Sequence, residues 1–135
     1  MEFIEWNDAM SVGVKYFDDE HKQLITLLNN LNHSLSIRAT QKTMSDILVN
    51  LVKYTVIHFK HEEEYMALYD YPAIIQHKKE HEELTRQVLE FKERLDEGKG
   101  SFSIELLTFL RDWLTNHILG SDMVYKEFFH GKGVC

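Results

Sequence analysis

A single proline, Pro72, interrupts 135 residues. Proline removes a helical hydrogen-bond donor and clashes with the preceding turn, so a chain nearly free of it can run long helices. The apolar pattern agrees. Leu24, Leu27, Leu28, Leu31 and Leu35 recur at spacings of three and four, which predicts an amphipathic helix over 19–38 with Asp18 or Asp19 as its cap. Ile47, Leu48, Leu51, Tyr54, Val56 and Phe59 mark a second helix over 43–68, after a polar break at 40–43. Pro72 suits the first turn of a third helix over 72–96. The run Glu97-Gly98-Lys99-Gly100-Ser101 reads as a turn, and a fourth helix follows over 103–119. Residues 1–17 read as an extended arm packed on the domain, and 120–135 as a polar and aromatic tail. Short connections between four helices predict an all-α, up-down-up-down antiparallel four-helix bundle with an extended N-terminal arm, as one domain over 1–135.

Composition narrows the function classes. A net charge of −7 opposes nucleic-acid binding, which needs a basic footprint, and opposes docking on anionic lipid. No apolar run approaches the roughly 20 residues that span a bilayer. The opening residues Met1 to Trp6 mix acids with apolar groups and do not resemble a secretory leader. Cys135 is the one cysteine, so no intrachain disulfide calls for an oxidising compartment. A soluble cytoplasmic monomer is the expectation.

The chain carries 8 histidines, and their placement is the most informative feature. His58 and Glu62 are four apart, so about 40° separates them around a helix axis and they share a face. His77 and His81 repeat that spacing. His21 lies near the start of the first predicted helix, and His117 near the end of the fourth, with Asp122 five residues on. In an up-down bundle these positions all fall at one end. A lone histidine in a core is usually a structural residue whose nitrogens are satisfied nearby. Five of them converging with two carboxylates call for a different account. Metal ligation satisfies one nitrogen of each ring and neutralises the buried acids.

Seven ligands exceed the four of a zinc site and suit two ions bridged by carboxylates. Imidazole-rich, thiolate-free ligation is compatible with Fe, Zn, Cu or Ni. The His117–Asp122 spacing is irregular: five residues turn about 500°, leaving Asp122 about 140° from His117 in an ideal α-helix. Both can face one site only across a π-type turn or a helix end, which Gly120 between them would ease.

His21, His58-x-x-x-Glu62, His77-x-x-x-His81 and His117-x-x-x-x-Asp122 together resemble the hemerythrin family, specifically its single-domain bacteriohemerythrins. Trp6, Ser11-Val12-Gly13-Val14, Asp18-Asp19-Glu20-His21 and Tyr71-Pro72 add to the likeness, which covers nearly the whole chain. The resemblance implies a non-haem diiron centre. His77, His81 and His117 would hold one iron, and His21 and His58 the other, which keeps an open position for O2. Glu62 and Asp122 would bridge both irons with an oxo or hydroxo group. Leu24, Phe59, Trp113, Leu114, Ile118 and Leu119 would wall the open position with apolar groups and keep water out.

The function that follows is reversible O2 binding for storage or delivery, with an oxygen-using enzyme as the partner. The alternatives are an O2 or redox sensing module acting through a separate partner, and a diiron oxidase or peroxidase. Ferritin-like oxidases use mostly carboxylates with Glu-x-x-His pairs. The histidine-rich set here speaks against that class, and an enzyme is not expected. His33, His61 and His130 fall outside the ligand pattern, with His61 a neighbour of the site at most. Glu63, Glu64, Glu82 and Glu83 read as solvated or capping acids, and Cys135 as an inert end residue.

Overall fold

The computed structural model describes residues 3–97 and 104–135. The described residues are helical, with no strand among them: α1 (Lys15–Ser36), α2 (Gln41–Leu68), α3 (Ile74–Asp96), α4 (Ile104–His117), a π turn (Ile118–Asp122) and α5 (Met123–Gly131). The expected turn at 98–101 and the expected start of the fourth helix at 103 lie outside the described residues.

The helices run antiparallel. Tyr16 near the start of α1 stacks on Tyr65 near the end of α2, with ring centres 6.1 Å apart, and His21 meets His58 at 4.6 Å. His77 meets His117 at 5.1 Å, while Phe91, later in α3, meets Phe109, earlier in α4, at 5.6 Å. The interior is filled by Leu24, Leu28 and Leu31 of α1, Leu48 and Leu51 of α2, Leu84 and Val88 of α3, and Leu107, Leu110 and Leu114 of α4. Full burial of each such side chain stabilises the fold by about 1.5–3 kcal/mol. Val56, expected in the core, is exposed instead. It lies two residues, about 200°, from His58, so turning His58 inward turns Val56 out.

The helix ends depart from the expected positions for local reasons. α1 begins at Lys15, not 19, because Asp18 does not cap it from outside. Asp18 sits inside the first turn and reaches back, accepting hydrogen bonds from the Val12 N–H at 2.8 Å and the Ser11 hydroxyl at 2.6 Å. α2 begins at Gln41, within the expected break, because the Thr40 hydroxyl accepts from the Thr43 N–H at 3.2 Å and caps it. α3 begins at Ile74, two residues past Pro72, which lies in a turn closed by the Ile74 N–H donating to the Tyr71 carbonyl at 3.2 Å.

The arm is not wholly extended. Asn7 accepts from the Ala9 N–H and caps a short 3-10 turn, Asp8–Met10. Farther back, Asn29 of α1 both donates to and accepts from the Ile4 backbone, at 2.9 Å each way, and so ties the arm down as a neighbouring strand would.

The largest correction concerns the tail. Most of 120–135 is helical: the π turn runs directly into α5. Tyr125 and Phe129, four residues apart on one face, are fully buried. They pack against Phe17 of α1 at 5.7 and 6.0 Å, and Phe129 also meets Tyr65 of α2 at 6.4 Å. An aromatic pair at helical spacing was there to be read, but so short a stretch carries little periodicity.

Candidate metal centre

The bundle brings together all seven residues that sequence spacing singled out, at one end and out of solvent. His21, His58, Glu62, His77, His81, His117 and Asp122 are each buried, with Glu62 and Asp122 completely so. They form two groups that share both carboxylates. One is Glu62, His77, His81, His117 and Asp122; the other is His21, His58, Glu62 and Asp122. Within each group the ligand-type atoms lie within 4.8 Å of one another.

Each carboxylate divides its oxygens between the groups. Glu62 turns Oε1 toward His81 Nε2 at 3.2 Å and His77 Nε2 at 3.8 Å, and Oε2 toward His58 Nε2 at 3.5 Å and His21 Nε2 at 3.7 Å. Asp122 turns Oδ1 toward His77 Nε2 and His117 Nε2, both at 2.9 Å, and Oδ2 toward His21 Nε2 at 3.0 Å. Close as these atoms are, His21 Nε2, His58 Nε2, His77 Nε2, Glu62 Oε1 and both Asp122 oxygens are buried without a hydrogen bond of acceptable direction. Buried polar atoms are almost always satisfied. A pair of cations between the two groups satisfies all of these, so the residues present fit a dinuclear metal site.

Two of the outward nitrogens are held by acids, and a third lies near one. His58 Nδ1 donates to Glu20 Oε1 at 2.8 Å, and His81 Nδ1 to Glu63 Oε2 at 3.2 Å; His117 Nδ1 lies 3.5 Å from Glu80 Oε2. A proton fixed on Nδ1 leaves Nε2 free as a ligand. Sequence spacing missed Glu20 and Glu80, and placed Glu63 among solvated acids. The signal for Glu20 was its position beside His21 on a helix that must also face α2. Glu20 spends its second oxygen, Oε2, on His61 Nδ1 at 2.7 Å, and His61 lies 3.0 Å from the Tyr16 hydroxyl. His61 is therefore a neighbour of the site, not a ligand atom in it. On the inner side the buried Tyr125 hydroxyl donates to Glu62 Oε2, a contact unforeseen while residue 125 was read as tail.

Electrostatics are extreme because nothing here is solvated. Burial opposes a charge on His58, yet the neighbouring Glu62 and Glu20 outweigh it and push the ring up to about 10. Burial likewise opposes a charge on His77, and Asp122 and Glu62 overcome it, again to about 10. His21 and His81 move upward in the same balance. Burial raises Glu62 and Asp122, but the surrounding imidazoles hold both well below the carboxylate range. Without metal, protons take the place of cations between these rings and acids.

Four of the six residues expected to form an apolar wall, Leu24, Phe59, Trp113 and Leu114, line a cavity of about 30 Å3 with Leu28, Leu51, Thr55, Leu84, Val88 and Leu110. Leu24, Thr55, Leu84 and Leu114 each stand three residues from a site histidine, one turn deeper in the bundle. The Thr55 hydroxyl in this wall donates to the Leu51 carbonyl at 2.7 Å. Ile118 is buried outside this lining. Leu119 is 45% exposed, because the π turn carries it to the surface. His33 and His130 are exposed, His130 binding the Gly13 carbonyl at 2.7 Å. Glu64, Glu82, Glu83 and Cys135 are exposed.

Fold and site together define a four-helix bundle with a buried cation-binding centre of histidines and shared carboxylates. Residues 12–129 match the family model described as "Hemerythrin HHE cation binding domain". The chain belongs to the hemerythrin family. It is 34% identical over 127 residues to a bacteriohemerythrin of Stenotrophomonas maltophilia, covering 94% of this chain and 82% of that one. It is 31% identical to a bacteriohemerythrin of Clostridium acetobutylicum, covering 90% and 98% respectively. The crystal structure of a wild-type hemerythrin superimposes with a TM-score of 0.88 at 29% identity, covering 93% of this chain and 96% of that one. No helix among the described residues is long and apolar enough to cross a membrane.

Proposed function

We propose that this chain holds two iron ions and binds O2 reversibly at them, for storage or for delivery to an oxygen-using enzyme. His77, His81 and His117 would hold one ion and His21 and His58 the other, with Glu62 and Asp122 shared. The observation that carries this reading is the division of each carboxylate, one oxygen toward each histidine group. The group with two histidines has one ligand fewer, and so is the side with room for a guest. A ferrous pair supplies the electrons on which O2 binding draws.

The chain's own residues do the rest. Glu62 and Asp122 offset part of the cationic charge in a dry interior. Glu20 and Glu63 orient the rings of His58 and His81. Leu24, Phe59, Trp113 and Leu114 surround a mostly apolar cavity whose one hydroxyl, on Thr55, is spent on the Leu51 carbonyl, which suits an apolar diatomic and disfavours water. The histidine-rich donor set favours a carrier over an oxidase, whose centres use mostly carboxylates.

Anaerobic metal analysis followed by an optical spectrum tests the reading. Two irons per chain are expected, with a visible charge-transfer band that forms under O2 and vanishes under argon. Irreversible oxidation without that band would replace the carrier by a sensor or an enzyme.

A further inference from the structure

A second feature of the bundle is an open groove on the surface between α2 and α3, with a volume of about 740 Å3. Lys60, Glu63, Glu64, Lys78, Glu82 and Arg86 give it charged walls. Val56 and Leu89, 45% and 46% exposed, give it an apolar portion beside Phe59. Phe59 lies on the floor, and Phe59 also lines the small cavity of about 30 Å3 behind it. Neighbouring residues divide between the two sides. Val56, Thr85 and Leu89 face the groove, while Thr55, Leu84 and Val88 face the cavity. The partition at this point is therefore one side chain thick.

We propose that Phe59 is the gate through which an apolar gas passes from the α2–α3 groove to the inner cavity. The inference rests on the O2-binding reading for its biological use, though the route itself concerns any small apolar molecule. The Phe59 ring lies flat on His81, with centres 3.7 Å apart and planes 4° apart, and 5.9 Å from the Trp113 ring. The stack makes no hydrogen bond that must break before the ring moves. Thr85, the nearest hydroxyl on the groove side, donates to the His81 carbonyl at 2.8 Å and so presents no donor to draw water through.

A rival path exists. Trp113 lines both the cavity and a cleft between α3 and α4. That cleft is walled by Gln76, Lys79, Glu80, Glu83 and Asn116, groups that hold water, and Trp113 stacks on His117 at 4.8 Å. The α2–α3 groove also carries charged groups, but four apolar residues, Val56, Phe59, Ala67 and Leu89, line it against Trp113 alone in the cleft, which favours the Phe59 side.

Stopped-flow O2 association and dissociation on the iron-loaded protein test the gate. Phe59→Ala should speed both on the order of tenfold, as expected when a barrier is lowered from both sides. A Val56→Phe/Leu89→Phe double variant narrows the groove at exposed positions, and should slow both rates. It decides the question if Phe59→Ala fails to fold or to hold iron. Wild-type rates in the double variant, or slowing by Asn116→Phe in the α3–α4 cleft instead, would overturn the proposal. Xenon exchange into the cavity, followed by NMR in the same proteins, needs no oxygen chemistry. Slower exchange in the double variant, in a protein that takes up no O2, would uphold the route and remove the carrier function. Unchanged exchange there would remove the route.

Discussion

His117 Nε2 and Asp122 Oδ1 lie 2.9 Å apart although five residues separate them in sequence. An α-helix would leave them about 140° apart, and the π turn over Ile118–Asp122 absorbs the difference by widening one turn. The widened turn does not depend on its glycine. Gly120 has no positive φ, and a Cβ built there meets nothing within 4 Å.

Gly120→Ala should therefore keep the metal site and stabilise the protein by about 0.5–1 kcal/mol, the usual gain from replacing a glycine inside a helix. Thermal denaturation and metal content measure the two halves of this expectation. A lower iron content in the variant would show that the turn needs glycine after all.

The reading of sequence succeeded where periodicity and spacing are strong. Four helices, their antiparallel order and the convergence of His21, His58, Glu62, His77, His81, His117 and Asp122 were all legible, because His58/Glu62 and His77/His81 sit at helical spacing and all seven fall at one end of a bundle. The irregular His117–Asp122 interval pointed to the π turn for the same reason. What was lost depends on contacts between distant elements. Glu20 looks like a surface acid until α2 brings His58 and His61 against it. Tyr125 looks like tail until α5 packs on Phe17. The start of α1 was misplaced because Asp18 folds the arm back on itself, a contact that no local pattern announces.

Two helix ends carry an avoidable cost. Arg38 and Asp70 follow α1 and α2 with φ of 55° and 57°. The N–H of the next residue closes each end, Ala39 onto the Ser34 carbonyl at 2.9 Å and Tyr71 onto the Met66 carbonyl at 2.8 Å. This closure favours glycine at the left-handed position, as Gly133 supplies after α5 with φ 79°. Arg38→Gly should raise stability by about 1 kcal/mol, the typical penalty of a side chain in that conformation. Gly13, at φ 74°, is the opposite case: a Cβ there meets the His130 ring. Gly13→Ala should destabilise by more than about 1 kcal/mol, from backbone strain and the lost His130 contact together. Denaturant midpoints of the two variants should move in opposite directions.

Glu20 should matter to the metal more than to the fold. It is the acceptor for His58 Nδ1 and, through its other oxygen, for His61. Removing an acceptor of this kind frees the ring to turn and lowers its basicity, at a cost of about 10–100-fold in metal affinity. Glu20→Ala should show that loss in competition with a chelator, while Glu20→Gln, which still accepts a hydrogen bond, should recover part of it. Equal affinity in the alanine variant would mean that His58 is held by packing alone.

Metal uptake should expel protons, and the size of the effect should follow the histidines. In the metal-free protein His58 and His77 are pushed up to about 10, so at pH 7 both rings carry protons that ligation must displace. Loading at pH 7 should acidify an unbuffered solution, and apparent affinity should climb as pH rises toward 10. The same shifts govern stability without metal. Because these rings bind protons more tightly in the folded state than at their ordinary 6.5, their contribution is complete below about 6.5 and is lost as pH rises through about 10. Glu62 and Asp122, held below the carboxylate range, act in the other direction. Their contribution is complete above their ordinary values, 4.5 and 3.8, and is lost as pH falls through the depressed ones. The metal-free protein should therefore weaken in strong acid and again in alkali, whereas loaded protein should resist the alkaline loss, since cations replace the protons. Denaturation of both forms at pH 7 and near pH 10 is the measurement, and an alkaline loss of the same size with and without metal would show that these rings are not the groups that hold it.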